Sequence, residues 1–210
     1  MSDDETVNRA LLPAGLRDLL PPDAECEAIS VEALMEVFAS HGYQRVKPPL
    51  LEFEDSLLAG SGAAVAEQTF RLMDPESQRM MGLRADTTPQ VARIATTRLG
   101  QTARPLRLSY AGQCLRVRGS QLAPDRQIAQ TGIELIGCDN PAADAEIVLV
   151  GAEALASVGL VCTWPRHSTA VPDRSGLCYV HWMLVVGMIV IPWMSTPWVV
   201  PAPKASIVPP

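Results

Sequence analysis

Residues 105–137, PLRLSYAGQCLRVRGSQLAPDRQIAQTGIELIG, decide how the rest of this chain is read. Gln130 and Glu134 stand four residues apart on a predicted strand, so both side chains project from one face. Glu134 sits among Ile133, Leu135 and Ile136, where an ionised carboxylate is costly unless it is paired. Two readings follow: a structural salt bridge that satisfies the carboxylate, or a polar pocket that it lines. Upstream, Arg116 and Arg118 precede a loop that ends at Arg126-Gln127. Arginine at 118 brings only hydrogen-bond donors to that position.

Working outward, Pro21-Pro22-Asp23 predicts the start of a helix running to His41, with Val31, Leu34, Met35 and Phe38 on one apolar face and Gly42 placed to end it. Residues 45–49, Arg-Val-Lys-Pro-Pro, read as a short strand closed by prolines. Phe70–Met73 and Arg79–Leu83 flank the turn sequence Asp74-Pro75-Glu76-Ser77 and predict a β-hairpin. In the stretch LRADTTPQ at 83–90, Thr88 is a natural N-cap with Pro89 at the first helical position, and Val91, Ile94, Ala95 and Leu99 keep helical spacing. Asp139-Asn140-Pro141 caps a further helix carrying Ile147, Val150, Ala154, Leu155 and Val158, with Gly159 as a left-handed stop.

Composition divides the chain near residue 160. All four tryptophans and eight of the eighteen prolines lie beyond it. Residues 161–210 hold Arg166, Arg174 and Lys204 against Asp173, a net +2, so the first 160 residues carry −8 of the total −6. That acidity disfavours a phosphate-tracking surface and with it nucleic-acid binding. The five cysteines are widely spaced with no metal-ligand pattern, and read as buried free thiols of a reducing cytosol. The acidic start MSDDETVNRALL has no basic and apolar leader pattern. The densest apolar run of the tail is about 14 residues and prolines interrupt it, short of the roughly 20 a membrane span needs. The expected division is a flexible lead-in over 1–20, one domain over 21–160, and an apolar Pro/Trp-rich tail over 161–210 that reads as translated out of frame. A membrane anchor or a separate C-terminal domain are the other readings of that tail.

The 105–137 segment resembles motif 2 of the class II aminoacyl-tRNA synthetases in its histidyl version, through Arg107 and Tyr110, Gly112, Arg116, the loop, Arg126-Gln127, and Gln130 through Gly132 to Glu134. The helix–strand–proline order of residues 24–49 resembles motif 1, the dimerisation element. LRADTTPQ resembles the histidyl loop in which an acid and a threonine hold the substrate's α-amino group. The resemblance implies an α+β fold, a class II synthetase-like antiparallel sheet with flanking helices, incomplete at its C-terminal end because motif 3 does not appear. It further implies a histidine pocket in which Asp86 and Thr88 take the ammonium, Arg116 faces the carboxylate, and Gln130 and Glu134 line the imidazole end.

The departures matter as much. Where the synthetases carry a glutamate that accepts from the adenine amino group, Arg118 meets that group donor to donor, at a cost of about 1–3 kcal/mol. Ala123-Pro124 stands where a basic pair is expected. Over residues 11–160 the chain is similar to the synthetase-like regulatory subunits of ATP phosphoribosyltransferase. That likeness implies a cytoplasmic subunit of histidine biosynthesis without catalysis or cofactor of its own. Its partners would be a short-form catalytic subunit, a second copy through the motif 1-like helix, and L-histidine as effector, with no nucleic acid or membrane. A histidyl-tRNA synthetase-like enzyme and a non-functional truncated product are the alternatives. On its own the 210-residue chain is expected to show little or no measurable histidine binding and no stimulation of the catalytic subunit, for want of later strands over the pocket.

Overall fold

The computed structural model describes residues 11–119 and 124–160, so the expected tail and the first half of the lead-in lie outside the described residues. Residues 11–20 form no helix or strand. They are nevertheless tied to the start of the last strand, with the Arg126 amide donating to Gly15 O at 2.7 Å and Arg17 pairing with Asp125 at 3.2 Å.

Helix α1 spans Asp23–Ser40, with Asp23 and Glu25 in the first turn where acidic charge complements the helix dipole. It ends as the sequence predicts. Gly42 takes φ +82°, its N–H donates to Ala39 O, and the Tyr43 N–H donates to Phe38 O, the double closure of a Schellman turn. Leu34, Met35 and Phe38 are buried and Val31 packs partly buried against the same core. Phe38 and Tyr43, brought together by the turn, both belong to that core.

Strand β1, Gln44–Arg45, lies along β5, Leu106–Leu115, and β5 pairs with β6, Gln127–Ile136, in a sheet of order β1-β5-β6. The β5–β6 pair is antiparallel over ten residues, as expected, whereas β1 runs parallel to β5. The antiparallel pair gains β1 as a parallel edge strand: the turn out of α1 delivers β1 in the direction of β5, and the Val46 N–H donates to Ser109 O. A second sheet is built from β2, Leu51–Phe53, β3, Arg71–Met73, and β4, Met80–Leu83, in the order β2-β4-β3. The hairpin β3–β4 turns at Asp74, whose carboxylate accepts from the Glu76 and Ser77 amides. The short helix α2, Glu54–Leu57, and a 3-10 segment at Gly60–Gln68 join β2 to β3.

Helix α3 spans Thr88–Thr97 and helix α4 spans Pro141–Ser157. Asn140 caps α4 by accepting from the Ala142 N–H at 2.9 Å, and Gly159, at φ +79°, closes it with the same Schellman pattern as α1. Arg107 of β5 grips Glu146 of α4 through two 2.7 Å hydrogen bonds, and Tyr43 donates to the same carboxylate. These contacts, with Gln113 donating to Glu27, place α1 and α4 on one face of the larger sheet. Of the three described cysteines all are free, but only Cys114 is buried; Cys138 is exposed, which corrects the expectation of buried thiols. No described helix is long and apolar enough to cross a membrane.

Candidate functional site

The opposite face of the sheet carries the polar cluster. Register sets Gly112 opposite Gln130, Tyr110 opposite Gly132 and Leu108 opposite Glu134. Strand alternation then puts Tyr110, Gly112, Cys114, Gln130 and Glu134 on this one face. Residues 84–88, leaving β4 for α3, cross over it.

Gln130 is the hub. Its Oε1 accepts from the Thr87 N–H at 2.8 Å and from the Cys114 thiol at 2.9 Å, while its Nε2 donates to Asp86 Oδ1 at 2.8 Å. The Thr88 N–H donates to the same Asp86 oxygen at 3.0 Å. The Thr88 hydroxyl donates to Glu134 Oε1 at 3.0 Å and lies 3.0 Å from the Tyr110 hydroxyl, which is itself 3.5 Å from Glu134. Asp86, Thr88, Gln130 and Glu134 are thus joined in one network. Thr88 is not the N-cap expected of it: Thr87 holds that position without a side-chain cap, and the Thr88 hydroxyl turns instead to the Glu134 carboxylate of β6.

The salt-bridge reading of Glu134 fails among the described residues. Two hydroxyls, not a cation, meet its carboxylate, and Oε2 has no hydrogen bond. Burial pushes its pKa up to about 7, the nearby Asp86 charge adds to the rise, and the Thr88 and Tyr110 hydrogen bonds oppose it. Asp86 likewise lacks a cationic partner, with Oδ2 unbonded among the described residues. Burial also raises the pKa of the Tyr110 hydroxyl and of the Cys114 thiol, so both remain protonated donors near neutrality. The cluster therefore presents two carboxylate oxygens of unmet acceptor capacity beside fixed neutral donors, an arrangement suited to an ammonium and a second nitrogen donor.

Arg116 is not drawn into this network. It lies one residue beyond β5, half-buried, with its amide donating to Arg126 O at 2.7 Å and its guanidinium making no ion pair among the described residues. Arg118 is exposed. Tyr110, Thr87 and Cys114 join the cluster beyond the residues expected there; the alternation Tyr110-Gly112-Cys114 puts the first and last on the face of Gln130, whereas Thr87, on the crossing loop, carries no such signal. No group of His, Cys, Asp or Glu among the described residues could hold a metal. A crevice of about 240 Å³ opens on the helix-covered face beside Val31, Gln113 and Thr131. Its charged neighbours are already committed, Glu27 to Gln113 and Glu32 to Arg45, and neither Asp86 nor Glu134 borders it.

The family model for histidyl-tRNA synthetase matches residues 15–163. A protein of Paramagnetospirillum magneticum named ATP phosphoribosyltransferase regulatory subunit is 68% identical over 156 residues, covering 74% of this chain and 41% of its own length. Among solved structures, the chain is similar to an ATP phosphoribosyltransferase regulatory subunit/histidyl-tRNA synthetase from Bacillus halodurans. The TM-score is 0.63 at 30% identity, over 71% of this chain and 38% of that one. It is also similar to the apo histidyl-tRNA synthetase of S. aureus, with TM-score 0.57 at 26% identity over 70% of this chain and 34% of that one. The chain spans about two-fifths of the length of curated relatives of this kind.

Proposed function

Because this chain belongs to the histidyl-tRNA synthetase family, with a cluster that joins Asp86, Thr88, Gln130 and Glu134 and an arginine at 118, we propose that it is a histidine-sensing regulatory subunit, without catalysis of its own, of ATP phosphoribosyltransferase. The single observation that carries the reading is the pair of carboxylates left without cations. Histidine offers an ammonium for Asp86 and Thr88 and an imidazole N–H for Glu134, and each would meet an oxygen that has no other partner. Arg116, clear of the network, would serve the carboxylate end of the ligand. The network is complete within residues 86–134, which favours a pocket formed by this part of the chain over the expectation that the 210-residue chain neither binds histidine nor stimulates a partner.

The absence of catalysis follows from the same chemistry. Activation of an amino acid needs adenine held by an acceptor, and Arg118 supplies only donors. The pocket would then keep its amino-acid contacts while losing its nucleotide contacts, which is what a sensor requires. Coupling of about 1–3 kcal/mol between histidine binding and the state of a catalytic partner is enough for feedback. A cytoplasmic assembly of this chain with a short-form catalytic subunit, paired through the α1 region, completes the proposal. The relatives named as regulatory subunits at 60–68% identity support it.

The test is reconstitution. A short-form catalytic subunit is assayed for condensation of ATP with phosphoribosyl pyrophosphate, with and without the chain and with histidine titrated in. Stimulation that histidine reverses is expected. Histidine-dependent exchange of pyrophosphate into ATP by the chain alone would overturn the reading in favour of a synthetase.

A further inference from the structure

Arg84 is the one arginine among the described residues that is buried, at 7% exposure, and it has no carboxylate partner. Its Nε donates to Gln113 O at 2.7 Å and its Nη1 to Pro48 O at 3.1 Å, both neutral carbonyls. Nη2 donates no hydrogen bond among the described residues. A cation withdrawn from water and given no counter-ion is held at a cost that a nearby anion would offset.

The position of that free nitrogen is set by a missing side chain. A Cβ added at Gly112 would lie 2.3 Å from Nη2 and 3.2 Å from Cζ. The guanidinium therefore occupies the space a residue-112 side chain would fill, on the face that Gly112 shares with Tyr110, Cys114 and Gln130. Gln130, directly across the ladder from Gly112, bonds Asp86. The face of the cluster thus carries an acid held by Gln130 and, over the neighbouring Gly112, a guanidinium with an uncommitted donor. That pattern of charge matches a zwitterion.

Resting on the histidine reading above, we propose that Arg84 is a ligand-binding residue of this pocket. Its Nη2 receives the α-carboxylate of the amino acid whose ammonium lies on Asp86 and Thr88, and Gly112 is there to let it through. This gives the carboxylate a donor fixed in the sheet, in addition to Arg116 at the strand end.

The experiment compares two ligands that differ only in the carboxylate. The 210-residue chain is titrated with L-histidine and with histamine by protein-observed NMR, which reads millimolar as well as tighter binding. The native chain is expected to prefer histidine by roughly 10- to 100-fold, the range of one charge-assisted contact. Arg84→Met is expected to bring the two ligands within about threefold of each other by weakening histidine while leaving histamine in place. Gly112→Ala keeps the arginine but sets a methyl where Nη2 lies, and is expected to do the same, so the inference does not depend on one variant folding. Equal weakening of both ligands in the variants would mean that Arg84 only holds the loop, and would overturn the inference while leaving the pocket intact. Equal binding of both ligands by the native chain would also overturn it. Binding of neither ligand by the native chain would overturn the histidine reading itself, and this inference with it.

Discussion

Replacing Glu134 by Gln should make this protein more stable, by an amount that depends on pH. The folded carboxyl has its pKa raised from 4.5 to about 7, first by burial and then by the charge of Asp86. Between those values the folded chain holds a proton that the unfolded chain has released. Stability from this group is therefore fully present below about 4.5 and is lost as pH rises through about 7. At about 1.4 kcal/mol per tenfold change in proton affinity the loss amounts to about 3 kcal/mol, a ceiling because contact of the half-buried residue with water screens part of it. Glutamine keeps an oxygen to accept from Thr88 and Tyr110 but never ionises. Urea unfolding of both proteins across the range is the assay, with the denaturant slope checked for constancy. The variant's advantage should be small near pH 4, grow through pH 5 to 7, and level off near about 3 kcal/mol. A difference that stays flat across that range would refute the claim that this carboxylate is held desolvated. The same variant should lose affinity for histidine, so stability and binding are opposed at this residue.

Two further outcomes test the fold around the site. Phe38, 1% exposed at the centre of the core beneath α1, should cost about 3–5 kcal/mol on replacement by alanine, measured by chemical denaturation. A loss well under 1 kcal/mol would mean that the core lies elsewhere. Glu146, whose pKa is lowered chiefly by the Arg107 hydrogen bonds, contributes stability that is present above its ordinary 4.5 and lost as pH falls. Glu146→Gln should therefore destabilise by about 1–2 kcal/mol at neutral pH and by much less in acid, and a pH-independent effect would contradict the ion pair.

What the sequence made legible was local. The apolar stripe of α1, the Asn140 cap with its Gly159 stop, and the Asp74 turn each follow from residues within a few positions of one another, and each formed as the chemistry requires. The four-residue spacing of Gln130 and Glu134 fixed their common face. Their partners were less accessible, because the hydroxyls that meet Glu134 come from 24 and 46 residues away. Thr88 illustrates the limit: local capping preference gave it one role, and a buried carboxylate across the sheet gave its hydroxyl another. The parallel pairing of β1 could not be read from a two-residue strand. The 3-10 segment GSGAAVAEQ at 60–68 shows neither helical nor alternating apolar spacing.

Four hydrogen bonds converge on residue 84. Its amide reaches Leu50 O, its carbonyl takes the Leu115 N–H, and its side chain grips Pro48 and Gln113. Those partners belong to the approach to β2 and to the end of β5, so a single residue rivets the smaller sheet to the larger. Asp86 and Thr88 follow within four positions. The ammonium end of the pocket is consequently pinned to both long strands at once, to β5 through residue 84 and to β6 through Gln130 and Glu134.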